Sequence, residues 1–262
     1  MVMFDALIYD VLMLCSLAKR FFRALGLRVG WASRPENRFD AMGEALGNLV
    51  HLGFVPAVVI DGGANVGQWS TLASGIFPGA RFHVIEPQPG CWPALEARLT
   101  SPRFSIHRTA ITSPNVAEVR MISAATDQRN TGAWVAPATG FADELSAIYP
   151  STTLDNLVGP AIAAGDRVLL KLDVERHEIS VLDGAAALLP RIEVIVSEVS
   201  FFDIHRIGGT TFTGLLNYLD ARGFDLYDFA ALAPRPRDNR LRMGDAIFVR
   251  RGTPLLEDAN WE

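Results

Sequence analysis

The stretch AVVIDGGANVGQWS (57–70) climbs through an apolar run to Asp61 and then breaks into Gly62-Gly63-Ala64-Asn65-Val66-Gly67. A strand, an acid, a glycine turn and a helix in that order form a connection whose backbone can approach a ligand closely. Three more acids stand at or near the ends of apolar runs: Glu86, Asp173 and Glu198. Ligands of open α/β sheets sit beyond the carboxyl ends of the strands. Four carboxylates at one rim are costly unless they bind something. The turn lacks the G-x-G-x-x-G of a dinucleotide fold, because Ala64 and Asn65 stand where glycines are needed, and it lacks the G-K-[ST] of a phosphate loop. An acid directly before the glycines would repel a pyrophosphate. The residues favour a phosphate-free nucleoside with a cationic tail, and S-adenosylmethionine has that form. Its sulfonium and amino group are expected near Asp61 and its ribose hydroxyls on Glu86. The alternative is a tight strand-to-helix connection with no ligand, which leaves Asp61 and Glu86 unexplained.

These residues need a sheet to position them, and the chain supplies one. Strand signals fall at 57–61, 81–87, 104–112, 117–123, 167–175, 192–201, 224–229 and 245–250, and helix signals at 67–77, 91–100, 178–190 and 211–223. Strands alternating with helices predict an α/β fold with a mostly parallel, doubly wound sheet and an antiparallel edge strand at its end. Residues 124–150, rich in Ala, Gly, Thr and Pro, read as a long irregular segment folding over an acceptor, where Trp134 and Tyr149 could stack on a sugar ring or simply pack. The organisation expected is an N-terminal helical cover segment (1–50), one domain (51–252) and a tail (253–262). Apolar residues from Phe4 to Leu25 recur at helical spacing and predict an amphipathic helix. It would cover the core or a second copy in a homo-oligomer. Alternatively, residues 1–28 would lie on a membrane surface with Lys19, Arg20 and Arg23 at the headgroups. The longest uncharged run there, Val11–Ala18, is too short to span a bilayer.

The net charge of -5 across 262 residues argues against nucleic acid as the main partner. Two cysteines, Cys15 and Cys91, offer neither a disulfide framework nor a thiolate metal site, which fits a reducing, cytoplasmic compartment.

VVIDGGANVGQWS, FHVIEP, STTLDNL, LLKLDVERHEISVLDGA and VIVSEVSF together resemble the FkbM-type S-adenosylmethionine-dependent methyltransferases, in that family's order from about Val58 to Arg250. The most specific piece is KLDVERHEISVLDGA, in which Arg176 stands where the family usually has glycine, a residue that permits a left-handed turn. The resemblance implies a Rossmann-like methyltransferase fold and O-methylation of a hydroxyl on a sugar, a glycosylated natural product or a glycolipid. It also implies a cofactor turn of Asp61, Gly63, Asn65 and Gly67, a ribose on Glu86, and Thr109 and Ala110 beside the adenine.

Methyl transfer from a sulfonium is an in-line displacement, and the acceptor hydroxyl, a weak acid, needs a base or a metal. Asp173 and Glu198 are expected to face the acceptor, with His177 as the base or as an ordinary surface histidine at a helix start. His205, in SFFDIHRIGG, is a second candidate. Lys171 is expected to pair with a carboxylate. Asp173 and Glu198 could hold a divalent metal, although two carboxylates are a minimal ligand set. The basic run PRPRDNRLR (234–242) reads as a solvated hairpin or as a contact for a phosphate on the acceptor. A nucleotide-dependent oxidoreductase on a related sheet and a cofactor-binding module without turnover are the competing classes.

Overall fold

The computed structural model describes residues 37–122, 132–136, 146–203 and 208–257. The expected N-terminal helix within 1–28, His205 and the last five residues lie outside the described residues. The strands are β1 (Val58–Gly62), β2 (Arg81–Ile85), β3 (Phe104–His107), β4 (Ala110–Ile111), β5 (Glu118–Ile122), β6 (Trp134–Val135), β7 (Ser146–Thr152), β8 (Val168–Leu172), β9 (Ile192–Ser200), β10 (Phe224–Pro234) and β11 (Leu241–Arg250). The helices are α1 (Arg38–His51), α2 (Gln68–Ile76), α3 (Trp92–Arg98), α4 (Leu154–Leu157), α5 (Glu178–Asp183) and α6 (Phe212–Asp220).

Every residue of β1 and of β8 is buried. Continuous apolar runs of this kind suit strands covered on both faces, as in a parallel sheet between helices. The main sheet has seven strands in the order β10-β11-β9-β8-β1-β2-β3. β1, β2, β3, β8 and β9 run parallel, and β11 runs antiparallel to both β9 and β10. The chain winds outward from β1 to β3, then returns to β8 beside β1. This reversal opens a crevice at the carboxyl ends of β1 and β8.

Two apolar clusters cover the sheet, one including Ile60, Leu170, Leu182 and Leu215, the other Val59, Leu169, Leu46 and Phe54. α1 belongs to the second. Its N-cap, Asn37, accepts the Asp40 N–H at 3.0 Å, and Met42, Ala45, Leu46 and Leu49 form its buried stripe. The compact unit that carries the sheet begins at Asn37, so α1 is part of it.

A second sheet was not foreseen. It has four strands in the order β4-β7-β5-β6. The run 104–112, read as one strand, breaks at Arg108-Thr109, and its two pieces join different sheets. Part of the segment read as irregular is ordered in β6 and β7, where β5 pairs antiparallel with both.

Candidate active site

Gly63 sits at φ 76°, and a Cβ there would lie 2.0 Å from the Asp173 carbonyl oxygen, so only glycine fits between β1 and β8. Asn65 is also left-handed, at φ 48°, a conformation its short polar side chain tolerates. Its side-chain oxygen accepts the Val66 N–H at 2.8 Å. Glu86, buried at the end of β2, joins the two crevice turns. One carboxylate oxygen accepts the Asn65 N–H at 2.8 Å, the other the Gln88 N–H at 2.9 Å. Burial pushes this carboxyl up, while the hydrogen bonds and distant Lys171 pull it down. The Gln88 side chain donates to it as well, and a carboxylate has about four acceptor positions, so capacity remains for a ligand hydroxyl.

A cavity of about 540 Å³ opens at this crevice. Gly63, Asn65, Glu86, Thr109 and Ala110, named above as cofactor candidates, line it, and so do Asp173, His177 and Glu198. The second sheet supplies one wall through Ala110, Ile111, Met121 and Val135. Trp134 and Tyr149 are not among the lining residues.

Two expected cofactor residues are placed elsewhere. Gly67, at φ 78°, caps α2 and packs against α3, where an added Cβ would meet Leu95 at 2.9 Å. Asp61 is fully buried and does not line the cavity. It lies opposite Lys171 in the parallel register of β1 and β8. Lys171 Nζ is 2.9 Å from its carboxylate, and Ser70 Oγ donates to it at 2.6 Å. Its charge is therefore neutralised inside the protein, which corrects the expectation that it faces a sulfonium. Lys171 also donates to the Gly63 carbonyl at 2.8 Å and lies 3.7 Å from Asp173. Burial works against the Lys171 cation, but Asp61 and Asp173 hold its pKa above the usual value.

The acceptor end of the cavity is more acidic than the sequence reading had it. Asp173, Glu175 and Glu198 bring oxygens within 4.8 Å of one another. Burial and repulsion from Asp173 push Glu175 up to about 7 and Glu198 up to about 8. Glu198 lies opposite Asp245 in the pairing of β9 with β11, and Arg38 sits between the two acids, bonded to both. This separates like charges that would otherwise face each other across the strands. The trio would fit an oxygen-preferring divalent cation, and Arg38 already supplies one positive charge to Glu198.

The loop that carries Glu175 is strained. Glu175 and Arg176 take φ values of 51° and 71° in succession, so the position where the family has glycine does require a left-handed residue. Arg176 is held there by Asp203 at 2.6 Å, by Thr210 N–H on its carbonyl at 2.8 Å, and by its own N–H on Glu178 at 3.0 Å. His177 has one ring nitrogen 2.8 Å from Thr112 Oγ1, and burial lowers its pKa to about 4. It is a neutral imidazole and a weak base.

The sequence singles out neither Arg38 nor Gln88, places Arg242 only within the basic run 234–242, and holds Glu175 inside KLDVERHEISVLDGA without a role. Glu175 had a signal, lying two residues from Asp173. Arg38 had none, because its acids are 160 and 207 residues away.

A family model described as the methyltransferase FkbM domain matches residues 61–226. Among solved structures, a methyltransferase FkbM from Methylobacillus flagellatus KT is similar at 18% identity and a TM-score of 0.45. That match covers 73% of this chain and 43% of the other, so the chain spans less than half of that protein's length. The 1,6-didemethyltoxoflavin-N1-methyltransferase of Burkholderia thailandensis, solved with 1,6-didemethyltoxoflavin and S-adenosylhomocysteine, is similar at 17% identity and a TM-score of 0.43, covering 92% and 88%. A precorrin-6y C5,15-methyltransferase from Geobacter metallireducens GS-15 follows at 12% and 0.44, covering 80% and 89%. No curated protein matches the sequence.

Proposed function

The chain belongs to the FkbM methyltransferase family, and we propose that it uses S-adenosylmethionine to methylate a hydroxyl of a sugar, a glycosylated natural product or a glycolipid. One observation carries this reading. A single cavity has a pre-positioned carboxylate, Glu86, at one end and carboxyls with raised pKa, Glu175 and Glu198, at the other.

The residues at the first end suit the cofactor. The close approach of Gly63 to Asp173 leaves backbone rather than side chain beside the ligand. The remaining acceptor capacity of Glu86 suits a ribose hydroxyl, and Thr109, Ala110 and Ile111 form a wall for a flat base. When bound, S-adenosylmethionine supplies a methyl group already activated by its sulfonium. The protein's part is to hold an acceptor oxygen in line, which can contribute roughly 7–11 kcal/mol in favourable cases, and to take the hydroxyl proton.

A base works best with a pKa near the working pH. Glu175, at about 7, meets that condition and His177, at about 4, does not. Glu175 is therefore assigned as the proton acceptor. Burial, reinforced by repulsion from Asp173, keeps Glu175 basic, and His177, tied to Thr112, holds the loop.

Calorimetry tests the first half: S-adenosylmethionine is expected to bind and NAD is not, and Glu86→Ala should weaken binding by about tenfold or more. Binding that Glu86→Ala leaves untouched would reject this cofactor site. A labelled methyl donor with panels of sugar, amine and carbon acceptors tests the second half. Transfer to amines or carbon alone would reject O-methylation.

A further inference from the structure

The basic run 234–242 is unused by the cavity chemistry above. It joins β10 to β11 and holds four arginines against one aspartate in a chain of net charge -5. Asp238 engages Arg235 through Nε at 2.8 Å and through a second short contact. Arg240 stacks over Phe202, 4.0 Å from the ring centroid, and a stacked guanidinium keeps its in-plane N–H groups for another partner. Arg237 is exposed and makes no hydrogen bond or ion pair with the described residues.

Arg242 is placed by the ladder itself. Pro234 pairs with Leu241 and Ala233 pairs with Met243, so Arg242 is the extra residue of a β-bulge. Bulges re-aim side chains and recur beside active sites. Here the Arg242 carbonyl accepts the Phe201 N–H at 3.0 Å. Its side chain lines the main cavity without forming an ion pair among the described residues, although its charge offsets part of the upward shift of Glu175.

We propose that Arg242, where it lines the cavity, together with Arg240 and Arg237 on the same hairpin, binds a phosphate or pyrophosphate ester carried by the acceptor. Guanidinium groups take such oxygens in pairs. Three of them that form no ion pair among the described residues match a group of two or more negative charges better than a single carboxylate. The polarity also orients the acceptor, since the acids inside repel phosphate while the arginines at the mouth hold it, leaving the hydroxyl to enter toward Glu175. The site stands on the hairpin alone; only the identity of its ligand as the acceptor rests on the methyltransferase reading.

The probe is inorganic pyrophosphate, titrated calorimetrically into the full chain at low ionic strength, with and without S-adenosylhomocysteine. Binding is expected in both conditions. Arg242→Ala and the double variant Arg237→Ala/Arg240→Ala should each weaken it by about tenfold, the scale of a lost charge-assisted contact. Arg98→Ala, an exposed arginine on α3, should leave it unchanged. No binding, or equal loss in Arg242→Ala and Arg98→Ala, overturns the proposal. So does binding to phosphatidylglycerol vesicles without binding to pyrophosphate, which would indicate surface charge rather than a phosphate site. If S-adenosylhomocysteine fails to bind while pyrophosphate binding remains sensitive to Arg242, the cofactor reading falls and the anion site stands.

Discussion

Removing the Lys171 ammonium should be among the most damaging single changes at this site. Lys171→Met leaves the Asp61 carboxylate fully buried with, among the described residues, only the Ser70 hydroxyl bonded to it, and strips a donor from the Gly63 carbonyl. Breaking a buried pair in this way costs about 3–5 kcal/mol, because a charge stays behind without its partner. At roughly 2–4 °C per kcal/mol for a domain of this size, the melting temperature should fall by about 6–20 °C. Adding Asp61→Asn removes the stranded charge, so the double variant should be more stable than Lys171→Met alone by about 2 kcal/mol or more. The deficit of the single variant should also shrink as pH falls, since an orphaned Asp61 can escape its burial cost by taking a proton. The assay is urea denaturation of the wild type, both single variants and the double variant, followed by circular dichroism at two pH values. Additive effects of the two substitutions, or a loss below about 1 kcal/mol in Lys171→Met, would refute the reasoning. The pair would then have to be scored as a weak surface-type contact.

Three further outcomes follow from the same geometry. With Glu175 as the base, the turnover rate should rise with pH through about 7. Glu175→Gln should remove that limb and lower the rate by about 10²–10⁴-fold, as a pH–rate profile with labelled methyl donor will show; an unchanged limb would exclude Glu175. At Arg176, φ 71°, alanine keeps the left-handed strain and loses the Asp203 pair, whereas glycine loses only the pair. Arg176→Gly should thus be more stable than Arg176→Ala by about 1 kcal/mol in urea midpoint measurements, and the reverse order would contradict the strain assignment. Burial pushes Glu178 from 4.5 up to about 8, so the folded chain keeps a proton that the unfolded chain releases. Stability should then fall as pH rises, by up to about 1.4 kcal/mol per pH unit for one proton. The window to examine is about 6.5 to 8, because His83 and His177, both lowered to about 4, act in the opposite sense below 6.5. Denaturation across that window should show a flatter slope in Glu178→Gln, and an identical slope would count against a buried protonated Glu178.

The parts of the fold that were legible share a physical reason. β1, β8 and β9 are largely covered on both faces, so each reads as a mostly apolar run, and acids at or near the ends of those runs mark the rim of the sheet. The second sheet sends no such signal. β7 reads SAIYPST, is half-exposed along most of its length and contains Pro150, so neither a continuous run nor a clean alternation survives in it. The break at Arg108-Thr109 carries no glycine or proline to announce it. It is made by tertiary pairing, as β3 continues beside β2 while β4 turns to pair with β7.

The site divides along the same line between local and distant causes. The glycine turn and Glu86 were readable because their chemistry is contained within a few residues of one another in sequence. The partners of Lys171 were readable only in part. A lysine inside an apolar strand must find an acid, but Asp61 and Asp173 are both near it, at 2.9 Å and 3.7 Å. The register of β1 against β8 decides between them. It sets Asp61 directly opposite Lys171 in the interior, while Asp173 follows two residues later on the same chain, past the end of β8, where it lines the cavity. One cation between two acids therefore gives them different places: Asp61 is neutralised in the interior beside the turn that Lys171 fixes through the Gly63 carbonyl, and Asp173 lines the cavity, where its repulsion adds to burial in raising Glu175.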